Sequence, residues 1–370
     1  MPRIAVDARM IDHSGIGTYL RALLPRLVAG NPDLDFALLG DVRVLAAEAW
    51  TAAPNCAIVP CDAPIYSIRE QLRVPLAAGR DVDLFWSPHY TIPVGYRGRL
   101  LVTVHDLCHL ALPHLFGGAH RRLYARAMFA AVRRRATAVI TVSEFTRREL
   151  ERRVGTPRQP VTVIPNGVDA AWFDVEAGER PEPEPYIVAV GNVKPHKNLA
   201  ALVRAFARLV DHVPHRLVIV GRDEGFRTGD GETPRLAAAL GGRVRFTGHV
   251  PIDELRRIIA HAELLVLPSL YEGFGLPALE AMACGCPVAV SHAASLPEVC
   301  GDAAAYFDPT RPDEIAAAII ALLVDPGRRA ELRRRGVERA RRFTWEAAAE
   351  RTAEVIRKGI GMAPKGGVRR

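Results

Sequence analysis

The chain has 370 residues, of which 49% are hydrophobic and 24% charged, and its formal net charge is +8. This length is too great for one ordinary hydrophobic core, so we expect two domains of a soluble globular protein. The sequence starts on a short apolar run without signal-peptide features, and its longest apolar run, 315–324, is too short to cross a bilayer. We therefore expect a cytoplasmic protein.

Short apolar runs alternate with helical patterns along the chain, which predicts parallel sheets built from βαβ units. In the first half the predicted strands are 4–6, 36–39, 84–86, 101–104, 138–141 and 161–164, and the predicted helices are 18–28, 68–76 and 121–134. In the second half the predicted strands are 187–190, 217–220, 244–246, 264–267 and 288–290. The predicted fold class is α/β with two doubly wound domains, and ligands should bind in the cleft between them, beyond the carboxyl ends of the strands.

The segment Pro181–Pro185 has a proline at every second position, which excludes a helix and is typical of a stiff linker. We therefore place an N-terminal Rossmann-like domain at 1–178 and a C-terminal one at 186–345. The tail, 361–370, is expected to be disordered.

Two motifs in the first half follow predicted strands. Gly15 and Gly17 precede the first helix as in a dinucleotide fingerprint, but Leu20 replaces the third glycine and the loop is long, so that interpretation is weak. His105 ends the fourth predicted strand, where a parallel sheet places its ligand site; the alternative is a turn residue capped by Asp106.

Lys197 lies in the loop Gly191–Leu199, between a predicted strand and a helical pattern. A strand, a polar loop and a helix N-terminus form an anion site, and a lysine there would pair with phosphate as a point charge. The alternative for an isolated lysine is a solvated loop.

Glu272 and Glu280 flank a glycine-bracketed turn that leads into a helix. Pro277 suits the first helical turn, and Gly285 suits the left-handed cap at the other end. The backbone amides of 274–276 are then left at a helix N-terminus, where partial positive charge favours an anion. The turn predicts a site for a phosphate with a polyhydroxylated group attached, although either glutamate alone would more often be a solvated side chain.

The pattern Pro-Ser-Leu-Tyr-Glu-Gly-Phe-Gly-Leu-Pro-x-Leu-Glu-Ala-Met-Ala-x-Gly-x-Pro-Val at 268–288 resembles the donor-site signature of retaining glycosyltransferases of family 4. The resemblance covers nearly the whole chain, from Gly15 to the region 343–345. It implies the GT-B fold, in which two Rossmann-like doubly wound domains face each other across a cleft. The first domain would bind the acceptor and the second the nucleotide sugar, and a last helix, 346–360, would return toward the first.

The resemblance also implies roles for individual residues. The catalytic residues would be Glu272, His105 and Lys197, and the donor-binding residues would be Gly15, Asn192, Lys197, Phe274, Gly275, Leu276, Glu280 and Val250. Glu280 would bind the ribose hydroxyls and Lys197 the diphosphate. The amides of 274–276, together with Glu272, would hold the sugar hydroxyls and the leaving phosphate. Asn192 stands where many members carry an arginine.

The implied reaction is transfer of a sugar from a nucleotide diphosphate sugar to an acceptor hydroxyl with retention at the anomeric carbon. The motifs look most like those of bacterial mannosyl- and rhamnosyltransferases of surface-polysaccharide assembly, so GDP-mannose is the first choice of donor and a UDP-sugar the second. Because Lys197 and a helix dipole would meet the charge on the leaving diphosphate, no metal or cofactor is expected. A different class of function is a GT-B assembly partner without catalysis, against which the intact site residues argue.

Neither the carboxylates nor the cysteines predict a metal site. Asp33-Leu34-Asp35 and Asp81-Val82-Asp83 look like a metal-binding Asp-x-Asp, but both precede strands, so we interpret them as turn residues. The six cysteines are scattered without zinc-ligand spacing and are expected to be free thiols.

The segment 121–153 has ten arginines against three glutamates, a net charge of +7. Within it, 121–129 is typical of an amphipathic basic helix, and Leu115-Phe116 lies just before. We predict that this face contacts the anionic inner face of the cell membrane and that the acceptor is a saccharide or a lipid-linked saccharide. The alternative is a solvated basic face. No recognised nucleic-acid module surrounds the segment, so nucleic acid is not an expected partner.

Overall fold

The computed structural model describes residues 1–115, 119–175, 180–222 and 230–363. The chain divides into two compact units, the first comprising 1–110, 118–167 and 344–370 and the second 111–117 and 168–343. Phe116 and most of the predicted disordered tail, 364–370, lie outside the described residues. At the start of that tail, the Met362 N–H donates to the Arg357 carbonyl at 2.8 Å.

The first unit is built on a seven-stranded parallel sheet with the order β3-β2-β1-β4-β5-β6-β7. Its strands are β1 (Arg3–Asp7), β2 (Asp35–Gly40), β3 (Cys56–Pro60), β4 (Leu84–Ser87), β5 (Leu100–Val104), β6 (Ala138–Thr141) and β7 (Val161–Val163). The helices of this half are α1 (Ile16–Gly30), α2 (Val42–Ala46), α3 (Ile68–Ala78), α4 (Cys108–Ala111), α5 (Ala119–Arg135) and α6 (Glu144–Val154), with a 3-10 turn at Ala49–Ala52. All six predicted strands and all three predicted helices are present. β3, an edge strand without a fully buried residue, was missed.

The second unit is built on a six-stranded parallel sheet with the order β10-β9-β8-β11-β12-β13. Its strands are β8 (Tyr186–Val190), β9 (Arg216–Val220), β10 (Val244–Gly248), β11 (Leu264–Leu267), β12 (Val288–Ser291) and β13 (Ala304–Phe307). Its helices are α7 (Leu199–Ala207), α8 (Glu232–Ala238), α9 (Ile252–Ala260), α10 (Leu276–Ala283), α11 (Leu296–Cys300), α12 (Pro312–Leu323) and α13 (Pro326–Ala340), with 3-10 turns at Ala170–Trp172, Pro195–Lys197 and Gly241–Arg243. The five predicted strands are confirmed, and β13, again an edge strand, was missed.

Both sheets owe their cores to strands that are apolar on both faces. In the central strand β1, Ile4, Ala5 and Val6 are fully buried, and all four residues of β11 are buried as well. Such continuous apolar runs are typical of parallel sheets covered by helices on both sides, which is why they could be recognised in the sequence.

The chain changes unit at Gly167, not at the predicted boundary near 178. At this point the Val168 N–H donates to the Phe343 carbonyl at 3.1 Å. This bond joins the segment that enters the second unit to the segment that leaves it. Gly167 is packed so tightly that a Cβ would lie 2.2 Å from the Trp345 nitrogen. The chain therefore leaves the first unit here through a tightly packed turn.

The segment Pro181–Pro185 is not a free linker but part of the second unit. Glu182 is 3% exposed and forms an ion pair with Arg245. Glu184 pairs with Arg216 at 2.8 Å, and the Arg216 N–H donates to the Pro185 carbonyl. The prolines only exclude a helix; they do not prevent these glutamates from fixing the segment to the sheet.

The last helix, α14 (Trp345–Gly359), belongs to the first unit. Trp345 is 1% exposed, and its ring meets that of Tyr19 on α1 edge-on, with centroids 6.1 Å apart. Arg357 binds Asp33 at 2.7 Å at the other end of the helix. Trp345 therefore lies outside the second unit, although it was predicted to end the second domain.

None of the helices among the described residues is long and apolar enough to cross a bilayer.

Candidate functional site

Lys197 and Glu272 form an ion pair at the carboxyl ends of two neighbouring strands of the second unit, β8 and β11. The Lys197 ammonium lies 2.7 Å from Glu272 Oε1, and the same oxygen accepts a hydrogen bond from the Ser269 hydroxyl at 2.6 Å. The two side chains are 18% and 11% exposed. The carboxylate is thus held from two sides, and the lysine keeps donors beyond the one directed at Glu272, since an ammonium has three.

The loop that carries Lys197 is fixed to the loop after β11. Asn198 adopts a left-handed backbone with φ of 57° and donates its side-chain amide to the carbonyls of Pro268 at 3.1 Å and Pro309 at 2.7 Å. The Leu270 N–H donates to the His196 carbonyl at 2.8 Å. These bonds place Lys197 against Glu272 before any ligand arrives. The sequence singled out both charged residues but gave no sign that Asn198 and Ser269 position them.

The turn after Glu272 ends at the N-terminus of α10, as predicted. Gly275 has a φ of 99°, a conformation that favours glycine, and a Cβ there would lie 2.6 Å from Leu296 Cδ2, which would have to shift. The Ser295 hydroxyl donates to the Glu272 carbonyl at 2.9 Å and fixes the start of the turn. The amides of Phe274, Gly275 and Leu276 open the helix, where intrahelical acceptors are lacking, and they can receive an anion.

Glu280 lies one turn into α10 in a partly buried position. Burial raises its pKa to about 7, with a further rise from the charge of Asp169 and a smaller opposing effect of Arg256. Near neutral pH the carboxyl group is therefore partly protonated and can both donate to and accept from vicinal hydroxyls. Neither Asp169 nor Arg256 was predicted as a site residue; the structure makes both electrostatic neighbours of Glu280.

The loops after β8, β9 and β10 contact one another closely. Gly221 has a φ of 149°, and a Cβ there would lie 2.3 Å from the Gly191 carbonyl oxygen. Its N–H donates to the Gly248 carbonyl at 3.0 Å, and Val250 follows in a buried position. Asn192 accepts the Arg222 N–H at 3.1 Å, so this side chain ties the loops together. Sequence reasoning had missed Gly221.

Gly15 and His105 belong to the first unit. Gly15 has a φ of 81° before α1 and open space around its Cα, whereas a Cβ on Gly17 would lie 2.3 Å from the Ile11 carbonyl oxygen. Gly17 is thus required for packing, and Gly15 is the glycine of this loop that a ligand can approach.

His105 is fixed by a hydrogen bond from Nε2 to the Pro88 carbonyl at 2.9 Å and by edge-on contact with the Tyr19 ring at 4.7 Å. A carbonyl only accepts, so Nε2 carries the proton and Nδ1 keeps its lone pair. Burial lowers the pKa of His105, against the opposing effects of this hydrogen bond and Asp106, so the imidazole is neutral at pH 7. Asp106 also acts as a cap, as the alternative interpretation required, because it accepts the Cys108 N–H at 2.8 Å.

The two Asp-x-Asp segments have structural partners, as expected of turn residues. Asp33 binds Arg357, and Asp83 accepts the Arg3 N–H at 2.8 Å. Within the described ranges, no cluster of three or more histidine, cysteine, aspartate or glutamate side chains has the geometry of a metal site. All six cysteines are free thiols.

The chain has two Rossmann-like units with parallel sheets, and the second unit holds a lysine, two glutamates and a helix N-terminus at its strand ends. These features define the class: glycosyltransferases of the GT-B fold. Residues 13–172 match the family model described as Glycosyltransferase Family 4, and residues 171–343 match that of Glycosyl transferases group 1. The chain belongs to glycosyltransferase family 4.

Mannosyltransferases are among its relatives. The chain is 30% identical over 291 residues to the O-antigen chain mannosyltransferase B of Escherichia coli, a match that covers 73% of this chain and 72% of that protein. It is 34% identical over 239 residues to the MMP alpha-(1->4)-mannosyltransferase of Mycolicibacterium hassiacum, covering 62% of this chain and 56% of that protein. Among solved structures, Anabaena HepE in complex with UDP-glucose superposes with a TM-score of 0.79 at 19% identity, over 97% of this chain and all of that one, which shows the shared fold.

Proposed function

We propose that this glycosyltransferase transfers mannose from GDP-mannose to a hydroxyl of a saccharide or lipid-linked saccharide acceptor, with retention at the anomeric carbon and without a metal ion. The observation that carries the proposal is the preorganised Lys197–Glu272 pair beside the N-terminus of α10. A cation and a helix N-terminus that converge on one place suit a diphosphate leaving group. The mannosyltransferases among the relatives support mannose as the sugar.

In this proposal each residue of the second unit contacts a different part of the donor. Lys197 and the amides of 274–276 bind the diphosphate, Glu272 accepts from hydroxyls of the sugar, and Glu280 binds the ribose. As the bond between the anomeric carbon and the diphosphate oxygen breaks, negative charge grows on that oxygen. The fixed donors stabilise this charge without having to reorganise, which is the main source of catalysis available here.

Retention follows from attack on the face that the diphosphate leaves. The acceptor oxygen forms the new bond to the anomeric carbon, and its proton passes to the departing diphosphate. We assign His105 and Gly15 of the first unit to the sugar and the diphosphate respectively. Neutral His105 can then hold a sugar hydroxyl through Nδ1 without placing a positive charge beside the developing oxocarbenium ion.

The second candidate is a UDP-sugar transferase of glucose or N-acetylglucosamine, favoured by the structural likeness to HepE in complex with UDP-glucose. Melting temperatures with GDP, UDP and ADP separate the candidates, because a ligand that binds only the folded protein raises stability with the logarithm of its concentration over Kd. We expect the largest rise with GDP. A larger rise in melting temperature with UDP would identify a UDP-sugar as the donor in place of GDP-mannose. No rise with any nucleotide would overturn the proposed function.

Turnover separates an enzyme from an inactive assembly partner. With GDP-mannose and an acceptor saccharide, release of GDP should accompany formation of an α-mannoside, whose configuration is read from the one-bond C1–H1 coupling in NMR. A β-mannoside would contradict retention. Nucleotide binding without any GDP release would favour the inactive alternative.

We also propose a peripheral contact between the first unit and an anionic membrane, with a narrower surface than the sequence predicted. The arginines of α6 are engaged within their own helix: Arg147 pairs with Glu144, and Arg152 and Arg153 pair with Glu149. They therefore add little positive charge for a partner. The basic surface narrows to α5, where Arg122 and Arg126 are exposed.

An apolar stripe that the sequence prediction missed adds to this surface. Leu123 on α5 is 69% exposed, and on α3 Ile68, Leu72 and Leu76 are 85%, 67% and 77% exposed. The three α3 residues are four apart and so share one face of that helix. A hydrogen bond from Tyr124 on α5 to Glu70 on α3 joins the two helices. Exposed apolar side chains next to arginines suit an interface of anionic head groups and acyl chains.

A further inference from the structure

Tyr66, in the first unit, is a half-exposed aromatic residue with a strained backbone. The residue as a whole is 48% exposed, and its φ of 62° lies in the left-handed region that a bulky residue rarely adopts. The Tyr66 N–H donates to Glu70 Oε2 at 3.2 Å, and its hydroxyl lies 3.3 Å from His89 Nε2. Strain of this kind persists only where the surroundings fix it, and it concentrates at sites that bind or react.

A buried network of charges holds this backbone in place. Glu70 is 2% exposed and accepts the Tyr124 hydroxyl at 2.8 Å. Arg9 lies 3.5 Å from Glu70 and 2.7 Å from Asp7, which ends β1. Glu70 thus links the Tyr66 backbone to Arg9 and Tyr124, and these contacts fix its position.

Other aromatic rings surround Tyr66. His89, Tyr90 and Tyr124 lie with ring centroids 5.7, 6.4 and 6.2 Å from its ring, and Tyr90 stacks in turn on Phe129 at 4.5 Å. We refer to Tyr66, His89, Tyr90 and Tyr124 as the tyrosine cluster. It lies beyond the carboxyl ends of β1 and β4, the side of a parallel sheet where ligands bind.

The side chains of the tyrosine cluster carry no charge of their own at neutral pH. Burial, followed by the charges of neighbouring histidines and Arg9, holds the pKa of His89 well below its usual range, and burial raises the pKa of Tyr66 to about 12. Arg9 is 5% exposed and engaged by Asp7, Glu70 and the Ala63 carbonyl, so it offers little to a phosphate. The charges of Asp106 and Glu70 act on Tyr66 as well, so the cluster disfavours an anion and suits an uncharged ligand with an apolar face and a polar rim.

We propose that the tyrosine cluster is a saccharide-binding subsite in which the Tyr66 ring packs against the C–H face of a pyranose, while polar groups around it meet the hydroxyls. A pyranose is an uncharged ring with C–H groups on its faces and hydroxyls on its rim, and an exposed tyrosine offers the matching apolar ring and polar tip. The identification of this sugar as part of the acceptor rests on the proposed function; the binding of a saccharide does not.

Saturation-transfer NMR with a panel of methyl disaccharides of mannose, glucose and N-acetylglucosamine tests the subsite on the full chain. Tyr66→Asn removes the ring with a residue that tolerates the left-handed backbone, and Tyr66→Phe keeps the ring. The control is Tyr306→Asn, which alters another exposed tyrosine, on β13. We expect about a tenfold weaker Kd for Tyr66→Asn and a change of less than about threefold for Tyr66→Phe and the control.

Equal affinities of wild type and Tyr66→Asn, or no binding of any saccharide by the wild type, would overturn the subsite. Melting temperatures with GDP and UDP, measured on the same proteins, keep this result apart from the proposed function. If saccharides bind through Tyr66 but nucleotides do not bind, the proposed function fails and the subsite stands. If nucleotides bind and the loss of Tyr66 leaves saccharide affinity intact, the subsite fails and the proposed function stands.

Discussion

The ammonium of Lys197 lies 2.7 Å from Oε1 of Glu272, although 75 residues separate them in sequence. The pair joins the loops that follow β8 and β11, so the residue assigned to the leaving diphosphate and the residue assigned to the sugar are in direct contact. This contact makes their roles interdependent, and it changes what substitutions should do.

Glu272→Ala should lower turnover of GDP-mannose while leaving the affinity for GDP unchanged or somewhat higher, because Lys197 then has no carboxylate competing with the phosphate. Glu280→Ala should instead weaken the binding of GDP, since Glu280 is assigned to the ribose. Each lost hydrogen bond is expected to cost about 1–2 kcal/mol, a factor of roughly 5–30. Calorimetric titration with GDP measures the difference, and an equal loss of GDP affinity in both variants would contradict the division of roles.

The raised pKa of Glu280, about 7, predicts a pH dependence of stability. The carboxyl group is more basic in the folded than in the unfolded state, so folding takes up a proton between the ordinary glutamate pKa and about 7. Its contribution is fully present below that window and is lost as the pH rises through 7. Glu280→Gln removes the titration, so the variant should gain stability relative to wild type between pH 5 and pH 8, by about 1–3 kcal/mol.

Thermal unfolding at several pH values checks this prediction, with Glu350→Gln on the exposed side of α14 as the control. The control should track the wild type at every pH. A constant difference between Glu280→Gln and wild type from pH 5 to pH 8 would show that Glu280 titrates normally.

The proposed membrane surface predicts two separable effects. Arg122→Glu with Arg126→Glu should reduce sedimentation with anionic vesicles at low salt, because each arginine near an anionic surface contributes on the order of 1 kcal/mol. Leu72→Ser with Leu76→Ser should reduce it at high salt as well, since burial of apolar side chains is not screened. The control is Arg147→Gln on α6, whose partners already neutralise it. Equal recovery of all variants with neutral and anionic vesicles would contradict the membrane contact.

The sequence predicted the elements of the fold well where strands are buried on both faces. Such strands, for example β5 and β11, read as continuous apolar runs. In β3 and β13, which were missed, exposed residues alternate with less exposed ones, so neither strand is a continuous buried run. The unit boundary was misplaced because prolines mark the absence of a helix and not the absence of packing, and Glu182 is buried beside them.

Within the candidate site, the sequence identified charged residues and glycines but not the residues that hold them. Asn198 and Ser295 act through backbone carbonyls that are distant in sequence, and no local pattern specifies such partners. The tyrosine cluster was missed for a similar reason. Tyr66 and Glu70 are neighbours on the chain, but His89 and Tyr124 meet them only through the order of the strands.

The most direct test of the account is the affinity of Lys197→Ala for GDP, measured by calorimetry beside Lys358→Ala, an exposed lysine on α14. A charge-assisted hydrogen bond is worth roughly 1.5–3 kcal/mol, so we predict a GDP affinity about ten- to a hundredfold weaker and a similar loss of kcat/KM, with the melting temperature of the free protein little changed. Lys358→Ala should match the wild type. Wild-type GDP affinity and turnover in a folded Lys197→Ala protein would contradict the assignment of this pair to the donor diphosphate.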